Sequence, residues 1–252
     1  LVLARSEGDR ARLAALGAPQ ALCWGDLKAA APPLPADPAA LARLRETVGR
    51  RPVFLAAQTH PGEDAPVVAA HRAALAAHPD LLTVIVPRHP DRGAAVMAEA
   101  AASGLPVARR TTGGAPRPGV SLYVADTLGE LGLFYRLASV ALVGKSLVAP
   151  GGGQNPLEPA RLRCPILLGP HTGNFEEPVA RLLAAGGARV VEDGAALARE
   201  VADMLSSPDR VRAMAEAAAA VADAGAGLPE RVAAALLDLL PASAAEPTKI
   251  ND

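Results

Sequence analysis

Aromatic residues are nearly missing: Phe, Tyr and Trp make up 2% of 252 residues. The core must therefore be aliphatic, built from Ala, Leu and Val. With 50% hydrophobic residues the chain can bury one large domain, or one domain and part of another. Cysteine is scarce too. Cys23 and Cys164 lie far apart, with no CxxC or metal spacing. That excludes a disulfide scaffold and reads as two reduced thiols in an intracellular protein. Neither sign of charge dominates: 25 basic and 26 acidic residues leave a net charge of −1, which argues against a global grip on nucleic acid. Lysine is scarce beside alanine and arginine, a bias of composition more than of function. No apolar run approaches the roughly 20 residues of a membrane span, and no signal peptide is present. The five histidines lack metal spacing such as HExxH, so no metal or other cofactor is expected. The order and spacing of a Ser-His-Asp triad, a nucleophile elbow and a close carboxylate pair are missing as well. The chain opens at Leu1 without an initiator methionine, so an upstream part is expected to be missing.

What is present is alternation. Short apolar strands are expected over 52–57, 81–86, around Val107, and over 122–125, 140–143, 166–168 and 189–191, each followed by a helix or a loop. Asp37 and Pro38 open a helix that ends near Gly49, and a helix over 128–137 is expected to start from Asp126 and Thr127. Helices over 195–205, 209–224 and 229–240 close the chain. Uninterrupted apolar strands between helices imply a parallel sheet covered on both faces, an α/β doubly wound, Rossmann-like domain. The first residues do not fit inside it. A strand over 1–5, a helix capped by Ser6 and closed by Gly17, and a strand over 21–24 cannot form a core alone. They read as the tail (1–28) of a mostly missing Rossmann-like domain. A proline-rich linker (29–38) follows, then the main domain (39–241) and a polar tail (242–252).

In such sheets ligands bind beyond the carboxyl ends of the strands. Polar clusters recur at that edge: Thr59-His60-Pro61-Gly62-Glu63, Pro87-Arg88-His89-Pro90, Asp126-Thr127 with Glu130, Ser146, and Asn155 with Glu158. Five on one edge describe a cleft. Its centre is the stretch Val143-Gly-Lys-Ser-Leu-Val-Ala-Pro-Gly-Gly-Gly-Gln-Asn-Pro-Leu-Glu-Pro159. There an apolar strand ends in Gly144, and glycines 151–153 precede a helix that Asn155 caps and Pro156 begins. Bare backbone beside a helix N-terminus suits an anionic or polyhydroxylated ligand, because glycine lets it approach closely. The same glycines also read as a tight connection. Gly144-Lys145-Ser146 is no phosphate-binding P-loop, since that motif needs a glycine where Ser139 stands. Arg88, between two prolines, has the planar fork that clamps phosphate or carboxylate. For His60, Glu130 and the turn His171-Thr172-Gly173-Asn174, capping and ligand contact stay open. His71 and His78 read as solvated positions among alanines. A binding cleft of this kind suits transfer from a nucleotide-activated donor with an anionic leaving group.

The blocks Thr59-His60-Pro61-Gly62-Glu63, Val86-Pro87-Arg88-His89-Pro90, Asp126-Thr127-Leu128-Gly129-Glu130-Leu131-Gly132, Gly151-Gly152 with Asn155-Pro156-Leu157-Glu158-Pro159, and Gly169-Pro170-His171-Thr172 with Asn174-Phe175 resemble the 3-deoxy-D-manno-octulosonic acid (Kdo) transferases, GT-B glycosyltransferases of lipopolysaccharide synthesis. They occur in family order. The opening, Ala4-Arg5-Ser6-Glu7 to Gly25-Asp26-Leu27-Lys28, is similar to the family's crossover between domains. The resemblance implies the C-terminal, donor-binding half of an enzyme that moves Kdo from CMP-Kdo to a lipid A precursor. The site is then the cytoplasmic face of the bacterial inner membrane, reached through the missing N-terminal part, and no metal or nucleic acid takes part. By resemblance Pro87, Arg88, Leu128, Gly129, Glu130, Asn155, Pro156, Leu157 and Glu158 contact the CMP donor. Arg88 holds the phosphate or the Kdo carboxylate, and Glu158 holds donor hydroxyls. Thr59, His60, Ser146, Gly151, Gly152, His171 and Asn174 are further donor-loop candidates, while the catalytic carboxylate is expected on the missing domain. The chain departs from the family pattern at Lys145, where glycine is common, and at Gln154, where histidine is common. Two other readings remain: a GT-B envelope enzyme using a UDP-sugar, and a nucleotide-binding module without catalysis.

Overall fold

The computed structural model describes residues 1–240; the expected polar tail lies outside the described residues. In chain order the strands are β1 (Val2–Ala4), β2 (Ala21–Cys23), β3 (Val53–Thr59), β4 (Leu82–Pro87), β5 (Val107–Arg109), β6 (Leu122–Val124), β7 (Val140–Val143), β8 (Ile166–Leu168) and β9 (Ala188–Val190). The helices are α1 (Glu7–Ala15), α2 (Pro38–Val48), α3 (Asp64–Ala74), α4 (Gly93–Ala102), α5 (Leu131–Tyr135), α6 (Leu157–Arg161), α7 (Glu176–Ala184), α8 (Gly194–Leu205), α9 (Pro208–Asp223) and α10 (Leu228–Leu237).

Two compact units result, Leu1–Pro32 together with the chain from Ala222 onward, and Pro33–Val221. In the smaller unit β1 and β2 pair in parallel, with Val2 beside Ala21, and α1 crosses between them. Ser6 caps α1 by accepting the Asp9 N–H at 3.1 Å. The last helix, α10, packs on the turn Leu27–Ala30, and the Arg231 guanidinium stacks on the Trp24 ring at 4.0 Å. The expected main domain extends to residue 241, whereas the chain from Ala222 onward falls in the smaller unit. Chain order carries no signal for this return, because α10 joins the opening segment only through tertiary contacts.

The larger unit holds one seven-stranded, all-parallel sheet in the order β5-β6-β4-β3-β7-β8-β9. Successive residues of each strand face opposite layers. Phe54, Ala56, Ile85 and Leu142 enter a core under α3, α4 and α8 with Val67, Ala70, Val96, Leu197 and Val201. Leu55, Ala57, Val84 and Ala141 enter a second core with Leu44, Val48, Leu133, Phe134 and Tyr135 from α2 and α5. With both faces covered, the strands read as continuous apolar runs. Burial of Val53 through Ala57, all at 2% exposure or less, places β3 at the centre of both layers.

One helix differs from expectation. α5 begins at Leu131, and Asp126 caps nothing there. The Asp126 carboxylate instead accepts the Thr111 hydroxyl at 2.7 Å and pairs with Arg109 at 2.5 Å. Gly129, at φ +77°, turns the chain before the helix starts. His71 also differs: it is fully buried, with Nδ1 2.9 Å from the Thr83 hydroxyl. In an alanine-built core the helix face carrying Val67, Ala70 and Ala74 is the inward one, and His71 lies on it. His78 falls beyond the end of α3, where its Nε2 lies 3.1 Å from the Ser206 hydroxyl.

Candidate functional site

The chain runs outward from β3 to β4 on one side, then returns to lay β7 on the other. Loops leaving β3 and β7 at their carboxyl ends therefore part company between them, and this switch point is where doubly wound sheets open a crevice. Three contacts shape it. Glu63, 1% exposed, accepts four backbone N–H groups: His60 at 2.8 Å, Lys145 at 2.7 Å, Ser146 at 3.0 Å and Leu147 at 2.9 Å. The three amides after β7 form a small anion-binding nest that the protein fills with its own carboxylate. Gln58 sits at a register shift of β3 against β4, at φ +57°, and donates its amide to Glu158 Oε2 at 3.0 Å. Such a bulge re-aims a side chain, here from the sheet into the crevice. Third, the Gln154 amide donates to His60 Nε2 at 3.0 Å, so with this amide orientation the imidazole proton sits on Nδ1.

Cationic side chains surround these contacts. Arg88 follows Pro87, the last residue of β4, and its N–H donates to the Thr59 carbonyl at 3.0 Å. Its guanidinium is exposed and, among the described residues, forms no hydrogen bond or ion pair, while its charge acts on Glu158. Burial raises the Glu158 carboxyl above its ordinary value, opposed by the Gln58 hydrogen bond and by Arg88. Burial likewise lowers the His60 imidazole; the charges of Lys145, His89 and Arg92 add to this and Glu63 opposes it. His60 meets His89 edge-on, ring centres 5.9 Å apart. Arg92, by contrast, is paired with the buried Asp64 and donates to the Thr59 carbonyl at 2.8 Å.

The structure brings His60, Arg88, Asn155 and Glu158 to this edge. Asn155 Oδ1 accepts the N–H of Leu157, the first residue of α6, at 3.0 Å; the N-cap position itself is Pro156, one residue later than expected, and Leu157 is buried beneath. α6 is only five residues long, so its macrodipole is small and charge at this edge comes from side chains. On the neighbouring strand β6, the loop after Val124 carries Leu128, 79% exposed, and Gly129, with open space around its Cα. Glu130 faces inward to Arg110, Thr127 also donates to it, and its carboxyl is lowered, first by Arg110.

Other candidates do not face the crevice. The Thr59 hydroxyl is buried and donates to Asp64 at 2.7 Å. Ser146 is buried too: its hydroxyl donates to the Val143 carbonyl at 2.5 Å and accepts the Gly169 N–H at 2.8 Å. The glycines make room for a second loop. A Cβ on Gly151 would strike His171, and one on Gly152 would strike Asn174. The Gly152 N–H donates to the His171 carbonyl at 3.1 Å, and the Asn174 N–H returns to the Gly152 carbonyl at 2.8 Å. Sequence reasoning gave no role to Glu63, Gln58 or Arg110. Glu63 stood inside a quoted cluster, and only its bond to the His60 N–H is local; its three partners after β7 lie more than eighty residues away and leave no signal in the sequence.

No protein-family model matches the chain. Over 250 residues, 95% of the chain, it is 38% identical to a 3-deoxy-D-manno-octulosonic acid transferase of Bordetella pertussis, and it spans 56% of that relative. The crystal structure of the C-terminal CMP-Kdo binding domain of WaaA from Acinetobacter baumannii superposes with a TM-score of 0.69 at 30% identity, over 73% of this chain and 96% of that one. A C-terminal domain of a glycosyl transferase group 1 family protein (LpcC) from Francisella tularensis shares the fold at 14% identity and a TM-score of 0.53, covering 79% of this chain and 96% of that one. The sheet is thus that of a GT-B C-terminal, Rossmann-like domain. The chain belongs to the 3-deoxy-D-manno-octulosonic acid transferase family, spanning about half the length of such a protein.

Proposed function

We propose that this chain is the donor half of a Kdo transferase, binding CMP-Kdo in the crevice between β3, β4 and β7. The observation that carries the reading is an exposed, unpaired Arg88 guanidinium whose charge acts on the half-buried Glu158 at the switch point of a sheet that superposes on a domain named for CMP-Kdo binding. The open loop at Leu128 and Gly129 offers an apolar face and free backbone to the cytosine end. Arg88 neutralises the phosphate, and Glu158, held by Gln58, accepts hydrogen bonds from sugar hydroxyls.

In the proposed reaction an acceptor hydroxyl of a lipid A precursor attacks the anomeric carbon of Kdo from the face opposite the phosphate. The carbon–oxygen bond to phosphate breaks, CMP leaves with the bonding electrons, and configuration inverts. The hydroxyl proton goes to a base on the other domain. Charge grows on the phosphate as the bond breaks, so a cation placed there beforehand lowers the barrier. The reaction takes no metal or other cofactor. The full protein works at the cytoplasmic face of the inner membrane. Among the described residues no helix is long and apolar enough to cross a membrane.

Calorimetric titration with CMP and, in parallel, UDP tests this reading. CMP is expected to bind in preference to UDP, and Arg88→Ala to weaken CMP about tenfold or more, the scale of one charge-assisted hydrogen bond. A preference for UDP would move the chain to the UDP-sugar enzymes.

A further inference from the structure

Lys145 occupies a position that its backbone does not favour. At φ +58° it lies in the left-handed region, which costs a side-chain-bearing residue on the order of 1 kcal/mol and which glycine adopts freely. The surroundings fix this conformation from both sides. Its N–H donates to Glu63 at 2.7 Å, its carbonyl accepts the Gly153 N–H at 2.7 Å, and Gly144 is wedged against the Gln58 carbonyl. A strained residue over-determined by its neighbours is the pattern found at ligand clamps. Among the described residues its ammonium has no hydrogen bond or ion pair, and the Glu63 carboxylate that holds its backbone N–H is already met by four such groups. The ammonium's charge reaches His60, whose ring is bonded to Gln154 at the mouth of α6.

The strand order gives the direction of the ligand. Along the carboxyl edge β6, β4, β3 and β7 follow one another, with Ile85 level with Val124 and Ala57 level with Val143. They present in turn the Leu128 loop, Arg88, His60, and then Lys145 with Glu158. Neighbouring strands lie about 4.8 Å apart, so Arg88 and Lys145 start about 10 Å apart on either side of β3. A nucleotide sugar laid along this edge puts its base at β6, its phosphate at β4 and its sugar at β7. A second cation at the sugar end has work only if the sugar itself is an anion.

We propose that Lys145 is a specificity residue for acidic sugars, its ammonium pairing with the sugar carboxylate while Arg88 holds the phosphate. The assignment rests on the donor reading above. Calorimetry on the full chain with CMP-Kdo and with CMP tests it, using Lys145→Gly and Lys145→Arg. Glycine relieves the left-handed backbone, so Lys145→Gly is expected to melt no lower than the unaltered chain, which separates a binding defect from a folding one. It is expected to weaken CMP-Kdo about tenfold and to leave CMP within about twofold, with Lys145→Arg recovering most of the loss. Equal weakening of CMP and CMP-Kdo would overturn the assignment, since the ammonium would then serve the phosphate, and the donor reading would stand. No change in either affinity would overturn it as well. If the unaltered chain bound neither compound, the donor reading itself would fail and this inference with it.

Discussion

Glu63 shows how a single carboxylate organises a loop. Four N–H groups converge on it, three of them from the loop after β7. Glu63→Gln replaces one acceptor oxygen with an NH2 group that faces N–H donors, leaving buried backbone unsatisfied. We expect a loss of about 2–4 kcal/mol in urea unfolding, the cost of orphaned buried donors near a lost charge. A loss under about 0.5 kcal/mol, the scale of an ordinary surface change, would mean that the loop stands without this anchor. His71 makes a pH prediction. Burial, helped by the Arg51 charge, lowers its imidazole from 6.5 to about 4. Between these values the unfolded chain binds a proton that the folded chain refuses, so stability is complete above pH 6.5 and falls as pH drops towards 4. The loss approaches roughly 3 kcal/mol at full effect. Denaturant unfolding measured from pH 7 to pH 4 is expected to show this slope, and His71→Gln to flatten it. Asp126 titrates in a lower window: burial raises its carboxyl, but hydrogen bonds from Thr111 and Arg109 outweigh burial and leave it lowered. Its contribution is present above the ordinary carboxylate range and is lost only below it.

At the scale of elements, the connections carry more of the site than the helices do. α5 and α6 have five residues each, too short to stand without packing. The glycine loop between β7 and α6 has three successive residues at positive φ, +61°, +113° and +76°, and backs onto the turn at His171 and Asn174. Gly152→Ala adds a Cβ where Asn174 sits and strains a conformation that only glycine adopts easily. We expect a loss of about 1–3 kcal/mol in thermal unfolding. CMP affinity is expected to fall with it, because the loop leads directly into Asn155. An alanine variant as stable as the parent would show that the two loops are not packed as described. The five-cluster pattern along the strand ends was legible in the sequence, since uninterrupted apolar runs followed by polar turns mark the carboxyl edge. Which groups face outward was not. Thr59 and Ser146 look like Arg88 in a linear reading, yet their hydroxyls bond inward.

For the whole molecule, both apolar cores lie within Pro33–Val221. A chain cut to these residues is expected to unfold cooperatively and to keep CMP affinity within about threefold, a difference under 1 kcal/mol on the affinity scale. Loss of cooperative unfolding would show that the larger unit depends on the rest. The class of fold, the caps at Ser6 and Asp37, and the family were legible in the sequence alone, because hydrophobic periodicity, capping chemistry and motif order are properties of neighbours in the chain. The sequence did not reveal that α10 joins the opening segment, that glycines 151 and 152 accommodate His171 and Asn174, or that Glu63 anchors the loop bearing Lys145. Those depend on groups about twenty to two hundred residues apart, and only tertiary packing fixes which of them meet.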